Sequence, residues 1–111
     1  MTKFIKSSVP EYPGEVGLSD PMTFPQLFAL EDAFSAVKVL KNKSGERVNY
    51  ALLPGLLACC DAWHIEGLPE HPTPENFPAS PAKRRRAVAA LLAWLTDELG
   101  ALFRDTEIPN A

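Results

Sequence analysis

A chain of 111 residues with 46% hydrophobic content can bury one modest core, which excludes wholesale disorder. A net charge of −3 argues against a nonspecific nucleic-acid binder, and no apolar run approaches the roughly 20 residues that span a bilayer. Residues 1–7 lack a signal-peptide hydrophobic region. The two cysteines, Cys59 and Cys60, are neighbours whose bridging would strain disulfide geometry, so a reduced, cytoplasmic protein is expected.

In chain order, Phe4-Ile5-Lys6 predicts a short edge strand, and Tyr12-Pro13-Gly14 predicts a turn. The weak alternation over 15–21 predicts a second short strand. Residues 1–22 are therefore expected as an extended N-terminal segment. A helical unit at 23–105 follows, and a flexible tail at 106–111 completes the single domain.

The first helix is signalled by Thr23 as N-cap and by Pro25 in its first turn. Leu27, Leu30, Phe34 and Val37 stand at the 3-4-3 spacing of one face, and the helix should end near Leu40. Phe24 and Phe28 fall off that stripe, where they either widen the buried face or stay available to a partner. A second helix is expected over 49–65, capped by Asn49. Leu52, Leu56, Cys59, Cys60 and Trp63 would lie on one face, with Gly67 and Pro69 as its stop.

Thr73-Pro74-Glu75 reads as the cap and first turn of a short helix, and Ser80-Pro81 opens the last long one, over 80–103. Its stripe is Val88, Leu91, Leu92, Leu95, Leu99, Leu102 and Phe103. The eleven prolines, about twice the usual share, cluster in the two long connections. The implied fold class is mainly α: a small single-domain bundle of three main helices plus a short fourth, with an extended or short β N-terminal segment.

No catalytic motif emerges. Cys59, Cys60, His64 and His71 could form a soft-metal cluster, but zinc sites space their cysteines two to four residues apart, and adjacent helical positions diverge by about 100°. Cys60 and His64, at i and i+4 of a helix, would be close enough for a nucleophile and base. Nothing in the sequence supplies an electropositive setting or an oxyanion hole. Glu66, Glu70 and Glu75 read as solvated loop charges, and the six glycines are too scattered for a phosphate loop. The expectation is a non-enzymatic protein without metal or cofactor.

The last helix carries its charges against its own dipole. Lys83-Arg84-Arg85-Arg86 sits at the positive end, and Asp97 and Glu98 lie toward the negative one. Four successive residues sweep about 300° of the axis, so they form a collar rather than a stripe. The simpler reading is neutralisation by Glu66, Glu70 and Glu75 in the preceding connection; the alternative is a collar facing an anion or a partner. Trp94, beside Ala87, Ala90, Glu98 and Ala101, suits close approach by another helix, internal or external.

The order of segments carries a resemblance. Gly17-Leu18-Ser19-Asp20-Pro21-Met22-Thr23-Phe24 leads into Leu30-Glu31-Asp32-Ala33, and Leu53-Pro54-Gly55-Leu56 leads into Trp63-His64-Ile65. Gly67-Leu68-Pro69, Thr73-Pro74-Glu75-Asn76-Phe77-Pro78 and a final helix follow. This layout resembles the small tail assembly chaperones of long-tailed bacteriophages and prophages over about residues 15 to 105. The resemblance implies a mostly helical protein that coats the hydrophobic tape measure protein in the host cytoplasm until tail tube subunits polymerise around it. It implies no catalytic site and no residue role to carry over.

A holdase of that type needs exposed apolar patches flanked by charge. Phe24, Phe28 and Trp94 are the candidate contacts, with Lys83, Arg84, Arg85 and Arg86 as a charged flank. The expected partner is a protein, the tape measure or another helical client, and self-association is a further option. Neither a membrane nor nucleic acid is expected. The alternative is a small phage-encoded inhibitor of a host protein, or a DNA-binding adaptor, acting through the basic helix start.

Overall fold

The structure, a computed structural model, describes residues 2–40 and 45–106. In chain order its elements are β1 (Thr2–Lys6), β2 (Gly14–Ser19), α1 (Phe24–Lys38) and α2 (Gly45–Ala58). After them come β3 (Cys60–Ile65), a 3-10 turn at Pro74–Asn76 and α3 (Ala82–Thr106). The strands form one antiparallel sheet in the order β1-β2-β3. Over the described residues the molecule is therefore mixed α/β, with three helices and a three-stranded sheet, and not the mainly α bundle the periodicity implied.

The difference lies in the expected helix over 49–65. It is two elements, because α2 starts four residues earlier, at Gly45, and stops at Ala58, where the chain turns straight into a strand. Cys59 and Trp63, four apart, share a face in a helix and also in a strand, so their burial decides nothing. Ile65, two beyond Trp63, is buried while His64 between them is exposed, and that is a strand's period. Gly67, with φ 88°, turns the chain after β3 and does not end a helix. Pro54 sits inside α2 on its exposed side, where water can reach the Tyr50 carbonyl that loses its helical donor. The expectations for the loop at 41–44, for the Phe103 side chain and for a tail beyond Thr106 lie outside the described residues.

β1 and β2 are no appendage. Lys3 opposes Leu18 and Ile5 opposes Val16, and Val16 in turn opposes Trp63 on β3. Val16, Leu18, Trp63 and Ile65 join Leu53, Leu56, Leu91, Leu92, Leu95 and Leu99 in one core, with Val9 and Tyr12 from the β1–β2 connection. Burying each leucine contributes about 1.5–3 kcal/mol, so α3, with four of them fully enclosed, supplies a large share of this core.

The α1 face is rotated from its expected setting. Leu30 and Ala33 are its buried residues, while Phe34, assigned to the core stripe, is 40% exposed. The cause is α2's approach through small residues. A Cβ on Gly55 would stand 2.6 Å from the Ala33 Cβ and 2.8 Å from the Ala29 carbonyl oxygen. Close approach on the Ala29–Ala33 side leaves the larger Phe34 at the rim.

One polar corner ties these elements together. Between β2 and β3 the register slips, so that Gly17 opposes Ala62 but Leu18 opposes Cys60, leaving Asp61 as the extra residue of a bulge. The freed carboxylate accepts from Thr2 Oγ1 at 3.0 Å and from Ser19 Oγ at 2.5 Å. Gln26 Nε2 donates to Ser19 Oγ at 2.6 Å and to the Ala58 carbonyl at 3.1 Å, while its Oε1 accepts the Thr23 amide at 2.9 Å. Thr23 caps α1 as expected, within a capping box that Gln26 completes.

Gly55→Ala tests the helix crossing. Although alanine is the better helix former, its methyl has no room here, so stability should fall by about 1–3 kcal/mol in urea titrations. Gly45→Ala, with nothing within 4 Å of the added methyl, should be neutral or mildly stabilising.

Candidate binding surface

Phe24 and Phe28, one turn apart at the start of α1, are 74% and 54% exposed. Their rings stack with centroids 5.9 Å apart and planes 24° from parallel. The Thr23 cap fixes where the helix begins, and the Gly55 contact fixes which side faces inward, so the pair is held outward by the fold. Glu31 and Asp32 follow on the same exposed side. Leu27 and Phe34 flank the pair and line an apolar notch of about 120 Å³ between α1 and Leu99 of α3. Val39, 78% exposed, continues the apolar surface just past the helix end.

Trp94 does not belong to this surface. It is half-buried and packs against the core cluster, the internal contact that its small neighbours permit. The four cations also separate. Arg85 turns to α2, where its Nε lies 3.2 Å from Glu46 Oε1, and its Nη1 donates to the Ala79 carbonyl at 3.3 Å. The neutralisation expected from Glu66, Glu70 and Glu75 is absent: among the described residues none of them pairs with the run. Lys83, Arg84 and Arg86 remain exposed.

Sequence reasoning missed Tyr50, which is 54% exposed and borders an apolar groove of about 110 Å³ with Leu53, Phe77, Pro78 and Val88. The lone aromatic early in α2 was its only signal, and a helix start placed at Asn49 obscured it. His64 and His71 line a different hollow, beside Glu70 on the outer side of β3. Among the described residues no three His, Cys, Asp or Glu side chains group as metal ligands would. With Cys60 and His64 on a strand, four residues separate them by about 13 Å, so the helical nucleophile–base proximity does not arise.

The thiols are chemically quiet. Burial pushes Cys59 up to about 11. Burial first, then the neighbouring Cys59 and Asp61, pushes Cys60 up to about 12. Cys60 Sγ donates to the Leu56 carbonyl at 3.3 Å, which further favours the protonated form.

Comparison of the chain with protein-family models, curated proteins and solved structures finds no match. The geometry above is therefore the basis for a functional reading, together with the resemblance in segment order.

The thiols make a prediction with a defined sign. Both hold their protons more tightly in the fold than at the ordinary value of 9.0, so their contribution is complete below pH 9 and is lost as pH rises toward 11–12. Urea midpoints should fall across that window. At pH 8, alkylation of the native protein should be far slower than of the urea-unfolded chain, as read by mass spectrometry.

Proposed function

We propose that the protein is a non-enzymatic tail assembly chaperone of a long-tailed bacteriophage. In this reading it binds apolar helical segments of the tape measure protein and keeps them soluble until the tail tube polymerises around them. The observation that carries the reading is the exposed, stacked Phe24–Phe28 pair on α1. A soluble domain that presents two adjacent aromatic rings to water, with apolar neighbours and acidic residues alongside, has the composition of an interface anchor. Each ring that becomes buried on a client contributes about 1.5–3 kcal/mol, a scale suited to holding and releasing rather than to permanent assembly.

The segment order supports the same reading. The stretches that carry the resemblance lie at junctions of the fold: Ser19 at the polar corner, Gly55 at the helix crossing, and Trp63 and Ile65 at the buried end of β3. The mostly helical architecture that the resemblance implies is not the mixed α/β fold observed, so the likeness is one of segment order alone. The exposed α1 face is the client surface we assign to this chain. No helix among the described residues is long and apolar enough to cross a membrane.

The test is co-expression with tape measure fragments that are insoluble alone. The wild-type chain should bring them into the soluble fraction. The F24S/F28S variant should keep its stability within about 0.5 kcal/mol, as exposed positions do, yet lose the solubilising effect. An unfolded double variant, or one that still solubilises the fragment, would exclude this face as the client surface.

A further inference from the structure

The basic helix start, which the α1 reading leaves unused, borders a cleft of about 380 Å³. Glu11 and Tyr12 from the β1–β2 connection, Gly67 after β3, and Lys83 and Arg84 from α3 line it. Tyr12 is 5% exposed, so its ring is fully packed, and Gly67 lies against one ring edge, where an added methyl would come within 3.3 Å. Its hydroxyl has no hydrogen-bond partner among the described residues. The charged groups that act on that phenol are Arg84 and Glu11, both of which line the cleft.

Lys83 and Arg84 are exposed and make no ion pair among the described residues, in contrast to Arg85, which Glu46 holds. Glu11 is not within ion-pair distance of either cation. The Ala82 and Lys83 amides precede the first bond of the helix, which Arg84 N–H makes to the Pro81 carbonyl at 2.9 Å. A hydroxyl on a buried ring and two cations, all without a partner among the described residues, and the positive end of a 25-residue helix thus converge on one opening.

We propose that this cleft takes a single carboxylate, an Asp or Glu side chain of a partner protein, with the Tyr12 hydroxyl donating to it and Arg84 and Lys83 supplying the opposing charge. The local charge selects the ligand. Two cations against the Glu11 carboxylate leave one positive charge to be matched, which suits a monoanion. A phosphate dianion would bring a second negative charge with no cation left to match it, and the chain's net charge of −3 disfavours a nucleic-acid backbone. Burial keeps the phenol protonated well above neutral pH, so it is available as a donor. The collar's opposition to the helix dipole then has a reason, since cations and dipole act together on an incoming anion.

The site is separate from the α1 face, and its test needs no client, so its failure leaves the reading of α1 standing. Acetate titrated into the full-length protein at constant ionic strength should shift the Tyr12, Gly67, Lys83 and Arg84 amides saturably in NMR spectra. Tyr12→Phe should raise Kd roughly three- to tenfold, the range of one lost hydrogen bond, and Arg84→Gln should do at least as much. Lys3→Gln, on the exposed side of β1 and outside the cleft lining, should leave Kd unchanged. A short peptide with one internal glutamate and blocked ends should displace acetate, and its glutamine counterpart should not. Shifts that do not saturate, or that survive Arg84→Gln, would overturn the site. Tighter binding of inorganic phosphate or of duplex DNA than of acetate would overturn the carboxylate assignment, and failure of the glutamate peptide to compete would overturn the protein partner.

Discussion

The corner where α2 becomes β3 is the constraint on which the other elements depend. Ser19, at 6% exposure, donates its amide to the Cys59 carbonyl at 3.0 Å and its hydroxyl to Asp61, and accepts from Gln26. Gln26 reaches from the first turn of α1 to the Ala58 carbonyl, one of the orphan acceptors at the end of α2. One side chain therefore closes the cap of α1, satisfies the end of α2 and anchors β2. Buried polar groups are costly when unpaired, so such a fully bonded cluster specifies a single arrangement of the elements around it.

The consequences reach the surface. Gln26 and the close approach of Ala29 and Ala33 to Gly55 set the orientation of α1, and the side opposite that contact faces water. Phe24 and Phe28 occupy that side. Their exposure follows from backbone geometry one layer below, which separates an outward aromatic from one that merely failed to find a core. The basic start of α3 lies elsewhere, divided between an internal ion pair at Arg85 and an open cleft at Lys83 and Arg84. The apolar and the charged surfaces are thus built by different elements and can act on different ligands.

Legibility in the sequence followed the range of the interactions involved. The Thr23 cap and the leucine stripe of α3 depend on neighbours within a few residues, and each stands where local pattern placed it. β3 did not, because Asp61 sits at a bulge and interrupts the alternation that would have marked Cys60–Ile65 as a strand. The even spacing of Cys59 and Trp63 fitted a helix equally well. The Arg85–Glu46 pair was also out of reach, since the nearer carboxylates in the 66–75 connection looked like the natural partners while the actual one lies 39 positions upstream on α2. Of the candidate surface, the off-stripe setting of Phe24 and Phe28 was visible. The half-burial of Trp94 and the exposure of Phe34 were not.

By itself the sequence determined where α1 and α3 begin, which leucines seek a core, and that two phenylalanines sit apart from that core. These are matters of capping, period and apolar patterning. Tertiary structure alone decided that residues 60–65 extend rather than coil, and that the N-terminal segment becomes part of the sheet. It also decided which of the four cations at the start of α3 finds a carboxylate, Arg85 on Glu46. The physical reason is the same in each case. A strand has no hydrogen bonds of its own to offer, and a charge has no fixed partner until distant segments meet, so both take their final state from β2 and α2 and not from their own neighbours in sequence.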